Sequence, residues 1–254
     1  MRETTKNITF LLFILCGVRL SAQPADTLDV LFVGNSYTYF WNMPLMLETL
    51  SENADVYIKA RKSTEGGVTW KDHWEGAKGL TTQQRIAGED WDIVILQNHS
   101  LSTIRNLNQF MAYGDQLIGK VQDADAEPVL YTTWARDFNP LMQNEISAGY
   151  EQLAQKHGLR NALAGEVWED IRQLRPELEL FDPDGSHPSP VGSYVNAVIF
   201  YCLLTGESAQ GLPKRIIAKD KYGEELYLAI LSEEDAAFIH DVVDRHFANP
   251  EGDE

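Results

Sequence analysis

The chain reads as an α/β fold in which parallel strands are joined by crossover helices. Two observations predict it. Short apolar runs of strand length alternate with longer stretches of helical periodicity. No internal repeat, low-complexity segment or linker interrupts the alternation, so residues 23–254 read as one domain.

The elements follow in order. The run Asp29 to Val33 predicts the first strand, Val56 to Ala60 the second, and Ile93 to Leu96 the third, introduced by Trp91-Asp92. Val129 to Thr132, after Pro128, predicts the fourth, and Leu159 to Leu163 is the candidate fifth. Helical patterns cover Pro44–Ser51, Leu107–Val121, Leu141–His157 and Glu166–Leu174. Ser189 is a good N-cap and Pro190 suits the first helical position, so a helix runs from there to Leu204. Ser232-Glu233-Glu234-Asp235 places acids in the first turn of a last helix. Ile216–Leu231 fits either a two-stranded addition or a loop. A parallel sheet covered by helices on both faces leaves its carboxyl-end loops open for ligands. Ser36 and Gln97-Asn98 follow strands one and three and belong to that edge.

The N-terminus carries a different signal. Arg2 and Lys6 precede an apolar run from Ile8 to Val18, followed by Ser21-Ala22 and a polar stretch. This is the pattern of a secretory signal peptide over residues 1–22, and it predicts export to a periplasmic or extracellular location. A lipoprotein is the lesser alternative, because Leu15 stands where Gly or Ala normally precedes a lipidated Cys16. The formal net charge is −17, and residues 1–22 carry three basic residues against one acid, so the rest is more acidic still. Such a surface repels phosphate backbones and excludes nucleic acid as an expected partner. No stretch is apolar enough for an integral membrane span. Without Cys16, Cys202 is the single cysteine; it lies in an apolar run and reads as an inert core residue.

Four separated segments carry candidate chemistry. Ser36 ends Gly34-Asn35-Ser36, just past the first strand. Asp184 precedes His187 by three residues in Asp182-Pro183-Asp184-Gly185-Ser186-His187-Pro188. A serine hydroxyl needs a neighbouring base to become a nucleophile, and an imidazole needs a carboxylate to fix its tautomer. Ser36 as nucleophile, His187 as base and Asp184 as orienting acid meet those needs, with Asp182 a neighbouring carboxylate that could be mistaken for Asp184. Each fragment alone has a structural reading, as a helix cap or a turn. An oxyanion also needs donors. The Ser36 N–H, the N–H of Gly67 in Glu65-Gly66-Gly67-Val68, and the side chain of Gln97 or Asn98 are the candidates.

Together, Gly34-Asn35-Ser36, the Gly66-Gly67 loop, Leu96-Gln97-Asn98 and Asp184-Gly185-Ser186-His187-Pro188 resemble, in order, the four blocks of the SGNH, or GDSL-type, hydrolase superfamily. The resemblance spans Leu31 to Gly206. It implies a three-layer α/β/α flavodoxin-like fold with a five-stranded sheet in the order 2-1-3-4-5. It also implies an esterase, acetylesterase or lipase that works without metal or cofactor. Asn35 stands where many members have Asp, a position without a catalytic role. Leu96-Gln97-Asn98-His99-Ser100 replaces the usual Gly-x-Asn-Asp, and the likeness to acetylesterase branches favours Gln97 over Asn98 as side-chain donor.

Aromatic residues crowd the expected rim. Tyr37, Tyr39, Phe40 and Trp41 follow strand one, Trp70 and Trp74 follow the glycine loop, and Trp134 follows strand four. Tyr37, Trp70 and Trp134, with His99, are the expected substrate-binding residues, since aromatic faces suit sugar rings and acyl chains. Packing beneath loops is their structural alternative. Arg136 reads either as a contact for an anionic substrate group or as a surface arginine. The favoured expectation is a secreted serine esterase that removes acyl groups, O-acetyl above all, from a carbohydrate or small-molecule ester. The rivals are a lipid or small-acyl esterase and a secreted glycan-binding module that has lost catalysis. A metal hydrolase using Asp72, His73 and His99 matches no ordinary ligand spacing.

Overall fold

The computed structural model describes residues 26–247; the predicted signal peptide at 1–22 lies outside the described residues. In chain order the elements begin with β1 (Asp26–Gly34), α1 (Ser36–Tyr39), α2 (Met43–Leu50), β2 (Val56–Thr64), α3 (Trp70–Glu75), α4 (Thr82–Gly88) and β3 (Ile93–Leu96). They continue with α5 (Ser102–Arg105), α6 (Leu107–Gln122), β4 (Glu127–Tyr131), α7 (Gln143–His157), β5 (Asn161–Ala162) and α8 (Ala164–Leu174). The last are α9 (Pro190–Thr205), β6 (Arg215–Lys219), β7 (Glu225–Ile230) and α10 (Glu233–Phe247).

Strands β1 to β5 form one parallel sheet in the order β2-β1-β3-β4-β5. The alternation within β1 shows how a period of two builds a three-layer protein. Val30 and Phe32 enter the core beneath α2, α8, α9 and α10, whereas Leu31 and Val33 enter the core beneath α3, α4, α6 and α7. All four are essentially unexposed, which is why β1 reads as a continuous apolar run rather than as an alternating one. Burying each such side chain is worth about 1.5–3 kcal/mol. Ile216–Leu231 resolves as the antiparallel β6–β7 hairpin, whose Ile216, Ala218, Leu228 and Ala229 extend the first of these cores.

Helix α9 is held at both ends. The Ser189 side chain accepts the Gly192 N–H at 3.0 Å, Pro190 sits in the first turn, and Gly206 ends the helix with φ +74°. Every residue from Gly192 to Cys202 is buried, so the helix is apolar all round and passes through the core. Cys202 lies there, its thiol pushed up to about 12 by burial and by Asp244, which leaves it unreactive.

Sequence periodicity misses α3, α4 and α5, which span six, seven and four residues. Such helices are too short to display a face, and α3 is marked instead by a cap: the Thr69 side chain accepts from the Asp72 N–H while Asp72 accepts from the Thr69 N–H. Among the described residues no helix is long and apolar enough to cross a membrane.

The first turn of α9 passes so close to the preceding chain that only glycine fits at 192. A Cβ there would overlap the Leu180 carbonyl and lie 2.7 Å from the Trp168 ring. Gly192→Ala is therefore expected to lower stability by about 1–3 kcal/mol through overpacking. A urea midpoint equal to that of the wild type would show that the backbone yields freely at this point.

Candidate active site

The carboxyl ends of β1 and β3 meet at the point where the strand order reverses, and the chain leaves them in opposite directions. Gly34 closes β1. Its missing side chain matters, since a Cβ would fall 2.5 Å from both the Gln97 and Thr38 side-chain oxygens. Gln97 is buried here, its Oε1 accepting from the Asn35 N–H at 2.9 Å and from the Thr38 hydroxyl at 3.0 Å. Asn35 caps α1 by accepting the Tyr37 N–H, and its Nδ2 donates to Val68 O at 3.0 Å, which ties the glycine loop to the strand end. Ser36 is then the first residue of α1.

His73 supports this turn from below. It is buried, and its Nε2–H donates to Gly34 O at 2.9 Å. The other nitrogen, Nδ1, therefore accepts from the Thr82 hydroxyl at 2.7 Å, and Thr82 in turn accepts from Ser63 at 2.8 Å. Burial lowers the His73 pKa to about 4, despite the Gly34 carbonyl and the Asp72 charge, so the ring is neutral at ordinary pH. Asp72 is spent on the α3 cap, and both ring nitrogens of His73 are taken by Gly34 and Thr82.

The second half of the site is the turn before α9. Gly185 takes φ +64°, and Asp184 Oδ1 accepts the N–H groups of Ser186 and His187, each at 2.9 Å. The other oxygen, Oδ2, accepts from His187 Nδ1 at 2.5 Å. Burial raises the Asp184 pKa, but the hydrogen bonds from His187 and Ser186 outweigh it and hold the carboxyl below its usual range. Asp182 plays no part in orienting the imidazole; its Oδ1 accepts from Trp41 Nε1 at 3.3 Å. A proton on Nδ1 leaves Nε2 as the acceptor, and Nε2 lies 2.8 Å from Ser36 Oγ. Ser36 is thus joined to His187, 151 residues further along the chain, and through it to Asp184 in one hydrogen-bonded line.

Aromatic rings fix the imidazole. Phe40 stacks on His187 at 4.2 Å and 13°, and Tyr37 meets it edge-on at 5.5 Å. The Tyr37 hydroxyl is 2.6 Å from Ser186 Oγ, and Trp134 Nε1 donates to Ser186 O at 3.0 Å. Ser36, Tyr37, Phe40, Gly67, His99, Arg136 and His187 all line one open pocket of about 500 Å3. A larger groove of about 870 Å3 runs along another side of the Asp182–Pro190 loop, but neither Ser36 nor His187 lines it.

Three expectations need correction. Trp70 is buried against Phe110 and Tyr150, because the α3 cap turns its side chain beneath the sheet edge. Trp134 is buried in a stack between Tyr37 at 4.7 Å and Trp168 at 4.0 Å, so it braces the pocket wall without facing the pocket. Gln97 is committed to the strand end, with its Nε2 donating to Asn98 O, and does not face the pocket. Asn98 has the free donor. Its Oδ1 accepts from the Trp70 and His99 N–H groups and its own N–H donates to the Tyr150 hydroxyl, while its Nδ2 has no partner among the described residues. Asn98 lines a hollow that shares Gly67 and His99 with the Ser36 pocket. The N–H groups of Ser36 and Gly67 likewise donate to no described group. His99 lies in the pocket as expected. The supporting roles of His73 and Phe40 were not legible, since neither carries a sequence pattern beyond its residue type.

No family model and no curated protein matches the chain. Solved structures do. A candidate SGNH hydrolase from Slackia heliotrinireducens is 25% identical, with TM-score 0.60 over 69% of this chain and 98% of its own. A DUF4886 family protein from Bacteroides uniformis is 16% identical, with TM-score 0.70 over 90% of this chain and 98% of its own. An acetyl xylan esterase is 16% identical, with TM-score 0.56 over 69% of this chain and 99% of its own. The last two are likenesses of fold.

His73 makes stability depend on pH. Its folded pKa lies below the unfolded value, so its contribution is complete above pH 6.5 and is lost as pH falls toward 4. The loss amounts to about 3 kcal/mol. Urea unfolding of wild type and His73→Gln across this range should show a shallower pH slope in the variant; parallel slopes would contradict the assignment.

Proposed function

We propose, from a fold shared with the SGNH hydrolases and from the line of groups at its sheet edge, that this chain is a serine esterase. The observation that carries the reading is the continuous path from Ser36 Oγ through His187 to Asp184, at 2.8 Å and 2.5 Å. Ser36 Oγ passes its proton to His187 Nε2 and bonds to the ester carbonyl carbon. The tetrahedral oxyanion is received by the Ser36 and Gly67 N–H groups and by Asn98 Nδ2, none of which has another acceptor among the described residues. As the intermediate collapses, the C–O bond to the alcohol breaks and His187 returns its proton to that oxygen. Water then repeats the sequence on the acyl-Ser36 ester and releases the acid. Asp184 stays ionised throughout and stabilises the imidazolium.

The substrate we propose is an acetyl or similarly small acyl ester on carbohydrate, met outside the cytoplasm. The N-terminal sequence pattern supports export. Tyr39 and Phe40 line an open pocket, are partly exposed and offer apolar surface for a sugar ring, whereas the buried Tyr37 braces it from behind. One of the structural neighbours is an acetyl xylan esterase, which fits the same class.

The test is fluorophosphonate labelling together with p-nitrophenyl acetate hydrolysis. Ser36→Ala should abolish both, and Asp184→Asn should cut kcat by about 10⁴-fold. Folded wild-type protein that neither labels nor turns over would favour the glycan-binding module. Asn98→Ala should cost kcat about 10²- to 10³-fold, as loss of one oxyanion donor does elsewhere. A change of less than twofold would remove Asn98 from that role. Base catalysis needs an unprotonated imidazole, so the rate should also fall on acidification; Asp184, held below its usual range, stays ionised further into acid than an ordinary carboxyl does. A rate flat down to about pH 4, well below the ordinary imidazole range, would exclude His187 as base.

A further inference from the structure

The Ser36 pocket contains a cation with no counter-ion. Arg136 is half-buried on its wall, and no carboxylate pairs with it among the described residues. Elsewhere in this acidic chain arginines find carboxylates readily, as Arg61 does with Glu48, Arg85 with Glu89, Arg160 with Glu127 and Arg172 with Asp137. The hydrogen bonds of Arg136 are as sparse. Its Nε is buried without an acceptor, and Nη2 has only the Ser100 hydroxyl at 3.5 Å. The guanidinium is thus short of acceptors, and an anion entering the pocket would supply them to its outer N–H groups.

The segment that presents Arg136 is rigid. Gln143 accepts the Ala135 N–H at 2.7 Å and donates to Thr133 O at 3.2 Å, while Trp134 is clamped between two rings. The next residue, Asp137, donates its N–H to Gly185 O in the turn that carries Asp184 and His187. Arg136 is therefore held in a fixed relation to the imidazole.

Its neighbours suit an anion too. His99 Nδ1 accepts the Leu101 N–H at 3.3 Å, so Nε2 carries the proton as a donor. Burial, followed by the charges of Arg105 and Arg136, keeps that ring neutral. Arg105 lines the adjoining hollow, again without a carboxylate partner among the described residues. The other charged side chain at the pocket, Asp184, already spends its oxygens on His187 and Ser186.

Resting on the esterase reading, we propose that the ester hydrolysed at Ser36 bears a carboxylate, as on an acylated uronic-acid-type sugar, and that Arg136 receives it with help from His99 and Ser100. One guanidinium in the pocket suits a monoanion better than a dianionic phosphate, and its planar fork matches a carboxylate.

The test compares O-acetylated glucuronic acid with O-acetylated glucose. Wild-type kcat/KM should favour the uronate by about 10- to 100-fold, mainly through KM, as expected for one charge-assisted contact. The preference should vanish in Arg136→Gln, return in part in Arg136→Lys, and shrink in wild type as salt is raised. The salt series keeps the test open if a variant fails to fold. Equal kcat/KM for the two sugars, with Ser36-dependent p-nitrophenyl acetate hydrolysis intact, would overturn the carboxylate assignment and leave the esterase reading standing. If Ser36-dependent hydrolysis is itself absent, calorimetric titration of Ser36→Ala with both sugars decides. Tighter, salt-sensitive uronate binding would support the site, and equal or undetectable binding would overturn it.

Discussion

Everything at the candidate site depends on how β1 ends. Four hydrogen bonds converge on two consecutive residues. Gly34 O is held by His73, and the Asn35 N–H by Gln97. The Asn35 side chain holds the Tyr37 N–H and Val68 O. These bonds tie together the strand, the helix that begins at Ser36, the glycine loop and the end of β3. All are buried, where an unmatched polar group costs more than a bond gains, so the network is all-or-none. Gly34 is required because the network leaves no room for a Cβ.

The second half of the site is built by local rules. In the turn before α9 one carboxylate accepts three hydrogen bonds within four residues of chain, so local geometry brings Asp184 and His187 together as the family-like spacing of the block leads one to expect. The two halves are brought together by tertiary packing. Tyr37, Trp134 and Trp168 stack in series from α1 across the β4 loop to α8, and Ser186 hangs from the first two. Local chemistry thus prepares each half, and the aromatic stack sets the distance between them.

This division explains what was legible in the sequence. Strands β1 and β3 are buried on both faces and read as apolar runs, and the Ser189-Pro190 cap marks α9 without any packing information. The triad candidates were legible from the three-residue step between Asp184 and His187, from the place of Ser36 just past a strand, and from the resemblance carried by the four blocks together. Trp70, Trp134 and Gln97 were misplaced for a common reason. Each follows a strand end, where the side-chain direction is set by partners far away in the chain: Phe110 and Tyr150 for Trp70, Trp168 for Trp134, Thr38 and Asn35 for Gln97. Gln97 and Asn98 are adjacent and chemically alike, so residue type could not separate them. The unpaired state of Arg136 was illegible because absence of a partner is a property of three dimensions.

The bond between Tyr37 and Ser186 joins the neighbours of Ser36 and His187, one step along the chain from each. The separation between hydroxyl and imidazole is consequently anchored outside the pair itself. In the proposed reaction, a proton that crossed this contact would leave the flanking tether in place and both backbones at their original spacing. The frame is independent of the event proposed for it, so repeated acyl transfer would not require the two segments to find each other again.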